Sequence, residues 1–460
     1  MTYQTINPYD GKVVQTFDEL TDKQLEAAIA LASHAYAGWT ALPFDERAAI
    51  VNKAATLFRA RMEEFARPVT LEMGKLIAQA RGEVELSADI LAYYARHAEG
   101  FLAPEHLNPD SGQATIETSS LGVIFGVQPW NFPYYQLARF AAPNLMAGNV
   151  VMVKHAGCVP QCAAAFEALW VDAGAPPGVY TNLRISHAQV DRVIDDPRVR
   201  GVALTGSVEA GRDVAARAGR NLKKSTMELG GSDAFIVLDD ADLDKAVTWA
   251  VWAKMNNTGQ CCVAGKRFIV VEALADRFLE KFRSALAALK PGDPMEAGTT
   301  LGPLSTQEAL EKLLDQVRRA VAEGAKLVLG GKRIDRPGWF MEPTILLNIK
   351  PNNPAYREEF FGPVALFFRV KNEDEAVALA NDSAFGLGGS VFTRDVARGQ
   401  AVARRIDTGM VFINHPTWTA ADLPFGGVKN SGYGRELSSL GIQEFVNKKL
   451  VRVSPIDAPA

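Results

Sequence analysis

Two adjacent thiols, Cys261 and Cys262, stand behind a Gly259-Gln260 turn in a chain of 460 residues that has only four cysteines. The strand-like run Phe268-Ile269-Val270-Val271 follows them, so the pair sits on a loop that enters a buried strand. A thiol placed there is a candidate nucleophile, although free cysteines are also small buried hydrophobes and this stretch alone fits both readings. Upstream, Glu228 is followed by Leu229-Gly230-Gly231, a glycine-rich and mostly apolar bend. Partial desolvation there raises a carboxyl pKa toward the range of a general base. Asn131, in Gln128-Pro129-Trp130-Asn131-Phe132-Pro133, is an amide among aromatics and prolines that can aim N–H donors at an oxyanion. Leu204-Thr205-Gly206-Ser207-Val208 reads as strand, tight turn and helix start, where backbone N–H groups attract a phosphate. It is neither G-x-G-x-x-G nor a Walker loop, and an ordinary strand-to-helix turn looks the same. Lys154, after the apolar run 150–153, is either a ligand for ribose or phosphate oxygens or a solvated strand-end charge.

These groups are far apart in the chain and need a fold that gathers strand ends. Residues 21–100 read as helices, with Leu25, Ile29, Ala32 and Trp39, then Ile50, Ala54, Leu57 and Phe58, at helical spacing. From residue 122 the texture changes to short β-branched runs at 122–127, 150–153, 201–204 and 234–238, with helical stretches such as 160–173 and 208–219 between them. That is the pattern of a parallel, doubly wound sheet, which binds ligands at the carboxyl ends of its strands. A second α/β unit follows the cysteines: strand 268–271, helices 273–288 and 305–323, strands 326–329 and 364–370, helix 373–381 and strand 389–393. Residues 115–119 and the tail 441–453 alternate like sheet edges available for subunit contact.

The formal net charge of −4, with both signs interspersed, argues against nucleic acid or a membrane surface as partner and for a small soluble ligand. Residues 1–12 lack a basic run followed by an apolar one, and no window approaches the roughly 18 apolar residues of a membrane span, so a cytoplasmic protein is expected. Four cysteines suit a reducing compartment. His155, Cys158 and Cys162 lack a further ligand at useful spacing, and no metal is assigned.

Read in order, Pro129-Trp130-Asn131-Phe132-Pro133, Lys154, Thr205-Gly206-Ser207, Glu228-Leu229-Gly230-Gly231, Gly259-Gln260-Cys261-Cys262, Glu359-Phe360-Phe361-Gly362-Pro363 and Pro424-Phe425-Gly426-Gly427 resemble the motifs of the NAD(P)-dependent aldehyde dehydrogenases across nearly the whole chain. Lys154-His155-Ala156 and Gly432-Tyr433-Gly434-Arg435-Glu436-Leu437 are most similar to the shorter bacterial succinate-semialdehyde dehydrogenases. The resemblance implies an α/β fold with a Rossmann-type cofactor domain (1–102 and 121–228), a catalytic domain (229–427) and a small β oligomerisation extension (103–120 and 441–458). It implies that Cys262, in the Gly-Gln-x-Cys register, is the nucleophile and Cys261 a neighbour. Asn131 and the Cys262 N–H would form the oxyanion hole, and Glu228 would activate the deacylating water. Trp130, Lys154, Gly206, Ser207 and Leu229 would line the cofactor cleft, with Glu359 at the nicotinamide ribose and Phe361 near the ring.

In NAD-preferring members of that family a glutamate three residues after the cleft lysine meets the adenosine ribose. Gly157 stands at that position, so use of NADP is expected, with NAD used too. Arg139 and Thr419 are the candidates for the carboxylate of succinate semialdehyde, while Trp418 and Asp422 keep medium-chain and aromatic aldehydes open. A homodimer or homotetramer is expected. An acylating relative that transfers to coenzyme A would lack the glutamate. A non-catalytic binding relative would lack Cys262, Asn131 or Glu228.

Overall fold

Thr21 sets the start of the first long helix. Its side chain accepts from Gln24 N, and Gln24 Oε1 accepts from Thr21 N at 2.8 Å, a capping box that satisfies both ends of the first turn of Asp22–Ala41. The computed structural model describes residues 3–110 and 112–457. Residues 1, 2, 111 and 458, which belong to the expected domains, lie outside the described residues. The helical stretch continues as Phe44–Ala60, Met62–Met73 and Ile77–Phe101. Gly74 ends the third of these at φ +77°, where a Cβ would lie 2.6 Å from the Pro303 ring, so glycine alone fits the turn that leads to Lys75. An N-terminal pair of strands, Tyr3–Ile6 and Val13–Phe17, was not evident in the sequence, because neither alternates over more than a few residues.

The first large sheet has the order Gly432–Tyr433, Lys224–Glu228, Val199–Thr205, Val123–Gln128, Val150–His155, Tyr180–Asn182, parallel but for Gly432–Tyr433. Val150–His155 is buried throughout, which is why these strands read as continuous apolar runs. The chain enters at Val123–Gln128, steps outward through Val150–His155 and Tyr180–Asn182, then returns to the other side of its first strand. A crevice therefore opens between the carboxyl ends of Val123–Gln128 and Val199–Thr205, the switch point at which such sheets take ligands.

The sequence places Glu228 in a bend; it is instead the last residue of the strand Lys224–Glu228, paired with Thr205 on one side and Gly432 on the other. Gly432 has φ +106°, and a Cβ there would meet Met227 O at 1.9 Å, so this close approach requires glycine. The second sheet runs Lys326–Leu329, Thr344–Leu347, Val364–Val370, Gly265–Val271, Asp233–Val237, Gly389–Phe392, Phe412–Ile413, parallel but for Lys326–Leu329. Val446–Val453 pairs antiparallel with Gln113–Ser120, and Gln113–Ser120 with Glu105–Leu107, in a small separate sheet. No helix among the described residues is long and apolar enough to cross a membrane.

Candidate active site

The thiol loop is held in a conformation that the chain resists. Helix Leu243–Met255 runs into the tight turn Asn256–Gly259, in which Asn257 (φ 54°), Thr258 (φ 54°) and Gly259 (φ 76°) are all left-handed. A β-branched residue is strained there by about 1 to 3 kcal/mol, so surrounding contacts must fix the turn. They are present. Asn257 Nδ2 donates to Asn131 O (2.8 Å) and Gln260 O (3.1 Å), and Ser305 N donates to Gln260 Oε1 (2.9 Å). The fully buried Lys266 ammonium donates to the carbonyls of Cys261 (2.8 Å) and Cys262 (2.7 Å). A Cβ at Gly259 would lie 2.2 Å from Gly362 O, which explains the glycine.

Two cavities meet at Cys262. A cleft of about 700 Å³ is lined by Trp130, Gly206, Ser207, Leu229, Glu359 and Phe361, and also by Asn131. A narrower tunnel of about 250 Å³ is lined by Phe132, Tyr135, Trp252, Trp418, Thr419 and Phe425. Cys262 and Gln136 border both; Cys261 borders the tunnel alone. Cys262 is half-buried and Cys261 buried.

The cleft fits a dinucleotide. It opens at the switch point, its volume is in the range of small-molecule sites, and the 13-residue helix Val208–Arg220 points its N-terminus there with Ser207 as cap. Trp130 and Phe361 meet edge to face at 5.8 Å, forming an aromatic wall. Glu359 is anchored by Gly231 N (3.1 Å) and Lys266 Nζ (2.9 Å). Lys154 and Gly157 lie beyond the lining of this cavity, at the end of Val150–His155. Lys154 is buried with its ammonium 5.7 Å from the Tyr3 ring, and Gly157 O accepts from Gln4 N at 3.0 Å. The strand Tyr3–Ile6 thus packs on this end of the site.

Asn131 is 4% exposed, and its Nδ2 donates to Gln260 O at 3.1 Å, leaving one N–H for a ligand oxygen beside Cys262. Glu228 is 3% exposed, and neither carboxylate oxygen meets a donor among the described residues. Burial, then the negative charge of Glu436, raise its carboxyl well above the ordinary range against the pull of Arg139 and Arg435. The thiols share a hydrogen bond, which draws the Cys261 thiol down and pushes the Cys262 thiol well up, while Lys266 draws both down. One thiolate is therefore favoured over two.

Arg139 and Thr419 are brought together by a residue the sequence reading did not single out. Arg139 donates to the Tyr135 hydroxyl (3.0 Å) and to Thr205 Oγ1 (3.0 Å), ion-pairs with Glu436, and lies over the Tyr135 and Phe425 rings. The Tyr135 hydroxyl in turn bonds Thr419 Oγ1 at 2.8 Å. Arg139 is 1% exposed and does not itself line the tunnel; its charge reaches the tunnel through Tyr135. Tyr135 stands four residues before Arg139 on the helix Pro133–Met146, a spacing that could have revealed it.

A half-buried thiol shared by a cleft that fits a dinucleotide and a smaller, mostly apolar tunnel, with the Asn131 amide in the same cleft wall, suits a nicotinamide-dependent aldehyde oxidoreductase. The aldehyde dehydrogenase family model matches residues 1–451, and the chain belongs to that family. It is 52% identical to a succinate-semialdehyde dehydrogenase [NADP(+)] of Deinococcus radiodurans, over 98% of this chain and 95% of the relative. Identity is 46% to succinate-semialdehyde dehydrogenase [NADP(+)] 1 of Mycobacterium tuberculosis, over 99% of this chain and all of that one. The crystal structure of succinic semialdehyde dehydrogenase from Streptococcus pyogenes in complex with NADP+ superposes with a TM-score of 0.97 at 47% identity, covering 98% of this chain and 100% of that one. The expected family and fold class hold.

Proposed function

We propose that this chain oxidises succinate semialdehyde to succinate with NADP as hydride acceptor. The observation that carries the substrate is the Arg139–Tyr135–Thr419 network, which sets two hydroxyls backed by a guanidinium on the wall of a mostly apolar tunnel that Gln79, Glu83, Gln136, Asn256 and Thr417 also border. A carboxylate at the far end of a short aldehyde finds hydrogen-bond donors there, while its carbonyl carbon lies at Cys262. The Cys262 thiolate adds to that carbon, and the Asn131 amide and the Cys262 N–H receive the oxyanion. NADP, when bound in the cleft, takes up the hydride that leaves as the oxyanion collapses to a thioester. Glu228 then removes a proton from the water that cleaves the thioester, returning the thiolate and releasing the acid.

The named relatives act on the same aldehyde with the same cofactor, which supports the reading. The aromatic walls of the tunnel favour uncharged aldehydes as secondary substrates. Steady-state rates with succinate semialdehyde and with butanal, each with NADP and with NAD, test the assignment. Tyr135→Phe and Arg139→Leu are expected to raise KM for succinate semialdehyde about ten-fold more than KM for butanal, the size of one hydrogen bond to a charged group. Parallel changes for both aldehydes would make the network structural.

Gly157 carries the cofactor preference. A glutamate there would set a negative charge near a 2′-phosphate, a repulsion of about 1 to 3 kcal/mol, so Gly157→Glu is expected to shift kcat/KM about ten-fold or more toward NAD. An unchanged ratio would place the phosphate elsewhere. The small sheet exposes Leu450 (61%) and Val453 (63%) on its outer strand, and we assign it to contact between subunits of a homodimer or homotetramer. We assign residues 1–102 and 121–228 to the cofactor domain and 229–427 to the catalytic domain, a division supported by the change of sheet after Glu228.

A further inference from the structure

Lys75 and Glu83 form a buried ion pair that the chemistry above does not use, each side chain 1% exposed. The two ends of the pair grip one short segment from opposite sides. The Lys75 ammonium donates to Asn131 O at 3.0 Å and lies 3.7 Å from the centre of the Phe132 ring. Glu83 Oε1 accepts from Tyr134 N (2.8 Å) and Tyr135 N (3.2 Å), the first free donors of the helix Pro133–Met146. The first grip is on the residue that carries the amide of the oxyanion hole, and the second reaches the residue that carries the tunnel hydroxyl.

Burying two charges is costly, and an apolar pair of the same volume is often as stable, so stability alone gives little reason for an ion pair here. What the pair supplies that an apolar pair does not is direction, through three hydrogen bonds to backbone atoms of residues 131–135. Lys75 is fixed in turn by the Gly74 turn and Glu83 by the second turn of Ile77–Phe101, so the grip comes from rigid elements. We propose that Lys75 and Glu83 are positioning residues, a clamp that orients residues 131–135 so that the Asn131 amide faces the oxyanion formed at Cys262. The clamp rests on the reading of Asn131 as an oxyanion donor. Misplacing such a donor by about 1 Å costs up to about a hundredfold in rate without touching the reactants.

The test is the pre-steady-state rate of NADPH formation with saturating succinate semialdehyde. Asn131→Ala is expected to lower it about 10² to 10³-fold, the cost of one oxyanion donor. Lys75→Met and Glu83→Gln are each expected to lower it about ten- to a hundredfold with KM for NADP unchanged. In the Asn131→Ala background each is expected to lower it by less than about two-fold, because the group they position is gone. A structural role would not produce that loss of effect. Glu83→Gln keeps the shape of the side chain and carries the test if Lys75→Met does not fold. Full multiplicative effects in the double variants, or wild-type rates in Glu83→Gln, overturn the clamp alone; an unaffected rate in Asn131→Ala overturns the oxyanion assignment and the clamp with it.

Discussion

Cys262→Ala is expected to abolish aldehyde oxidation, a loss of about 10⁴-fold or more as for other covalent nucleophiles, while NADP still binds. Cys261→Ala is expected to keep a substantial part of the rate. The two thiols are chemically alike, so position decides between them. Cys262 borders both cavities, whereas Cys261 borders the tunnel alone and is 8% exposed. A carbon bonded to Cys262 faces the cleft where the hydride must go, and a carbon bonded to Cys261 does not. Loss of Cys261 also removes the hydrogen bond and the neighbouring charge that push the Cys262 thiol up, so the acylation rate of Cys261→Ala should reach its plateau at a lower pH than that of the wild type. Calorimetric titration of NADP and initial rates of NADPH formation on both variants decide the matter. Equal loss in the two would sink the assignment.

Why one cysteine was legible and some partners were not follows from the range of the signals. Helices Pro160–Ala173 and Glu373–Asn381 and strands Lys326–Leu329 and Val364–Val370 fall where the pattern puts them, since Pro, Gly or Asn at their ends stops the chain locally. Lys224–Glu228 was missed because it is polar at its start and buried only at its end, so it alternates weakly, and Leu229-Gly230-Gly231 dominates the local reading. The turn before the thiols was legible as Gly-Gln, but not its three left-handed residues, since Asn257 is held there by Asn131 and Gln260, and Thr258 by Gly302 O, all distant or backbone contacts. Arg139 was visible as a cation, yet its pairing with Glu436 and its link to Thr419 join segments almost 300 residues apart, which no local pattern encodes. The clamp of Lys75 and Glu83 was hidden for the same reason: each reads as an ordinary surface charge near a helix start, and only the packing of Ile77–Phe101 against Pro133–Met146 buries them.

Glu228→Gln is expected to give a burst of about one NADPH per active site followed by turnover about 10² to 10⁴-fold slower than wild type, the usual contribution of a general base. The burst survives because the thiol adds and the hydride leaves before any water is needed; the slow phase follows because the thioester then waits for hydroxide. The pH dependence carries the sign of the shift. Burial first, and the charge of Glu436 second, raise the Glu228 carboxyl well above the ordinary carboxylate range, so at low pH it is protonated and cannot serve as base. Wild-type turnover should therefore rise with pH through that raised ionisation, and the limb should vanish in Glu228→Gln. Stability moves the other way. A carboxyl whose pKa is higher folded than unfolded holds its proton more tightly in the native state, so its contribution is full below the unfolded value and is lost as pH rises through the folded one. Glu228→Gln should then unfold at a higher temperature relative to wild type at alkaline pH than at acid pH, read by thermal melts across the same range. A variant with no burst would move Glu228 ahead of hydride transfer, to the activation of Cys262.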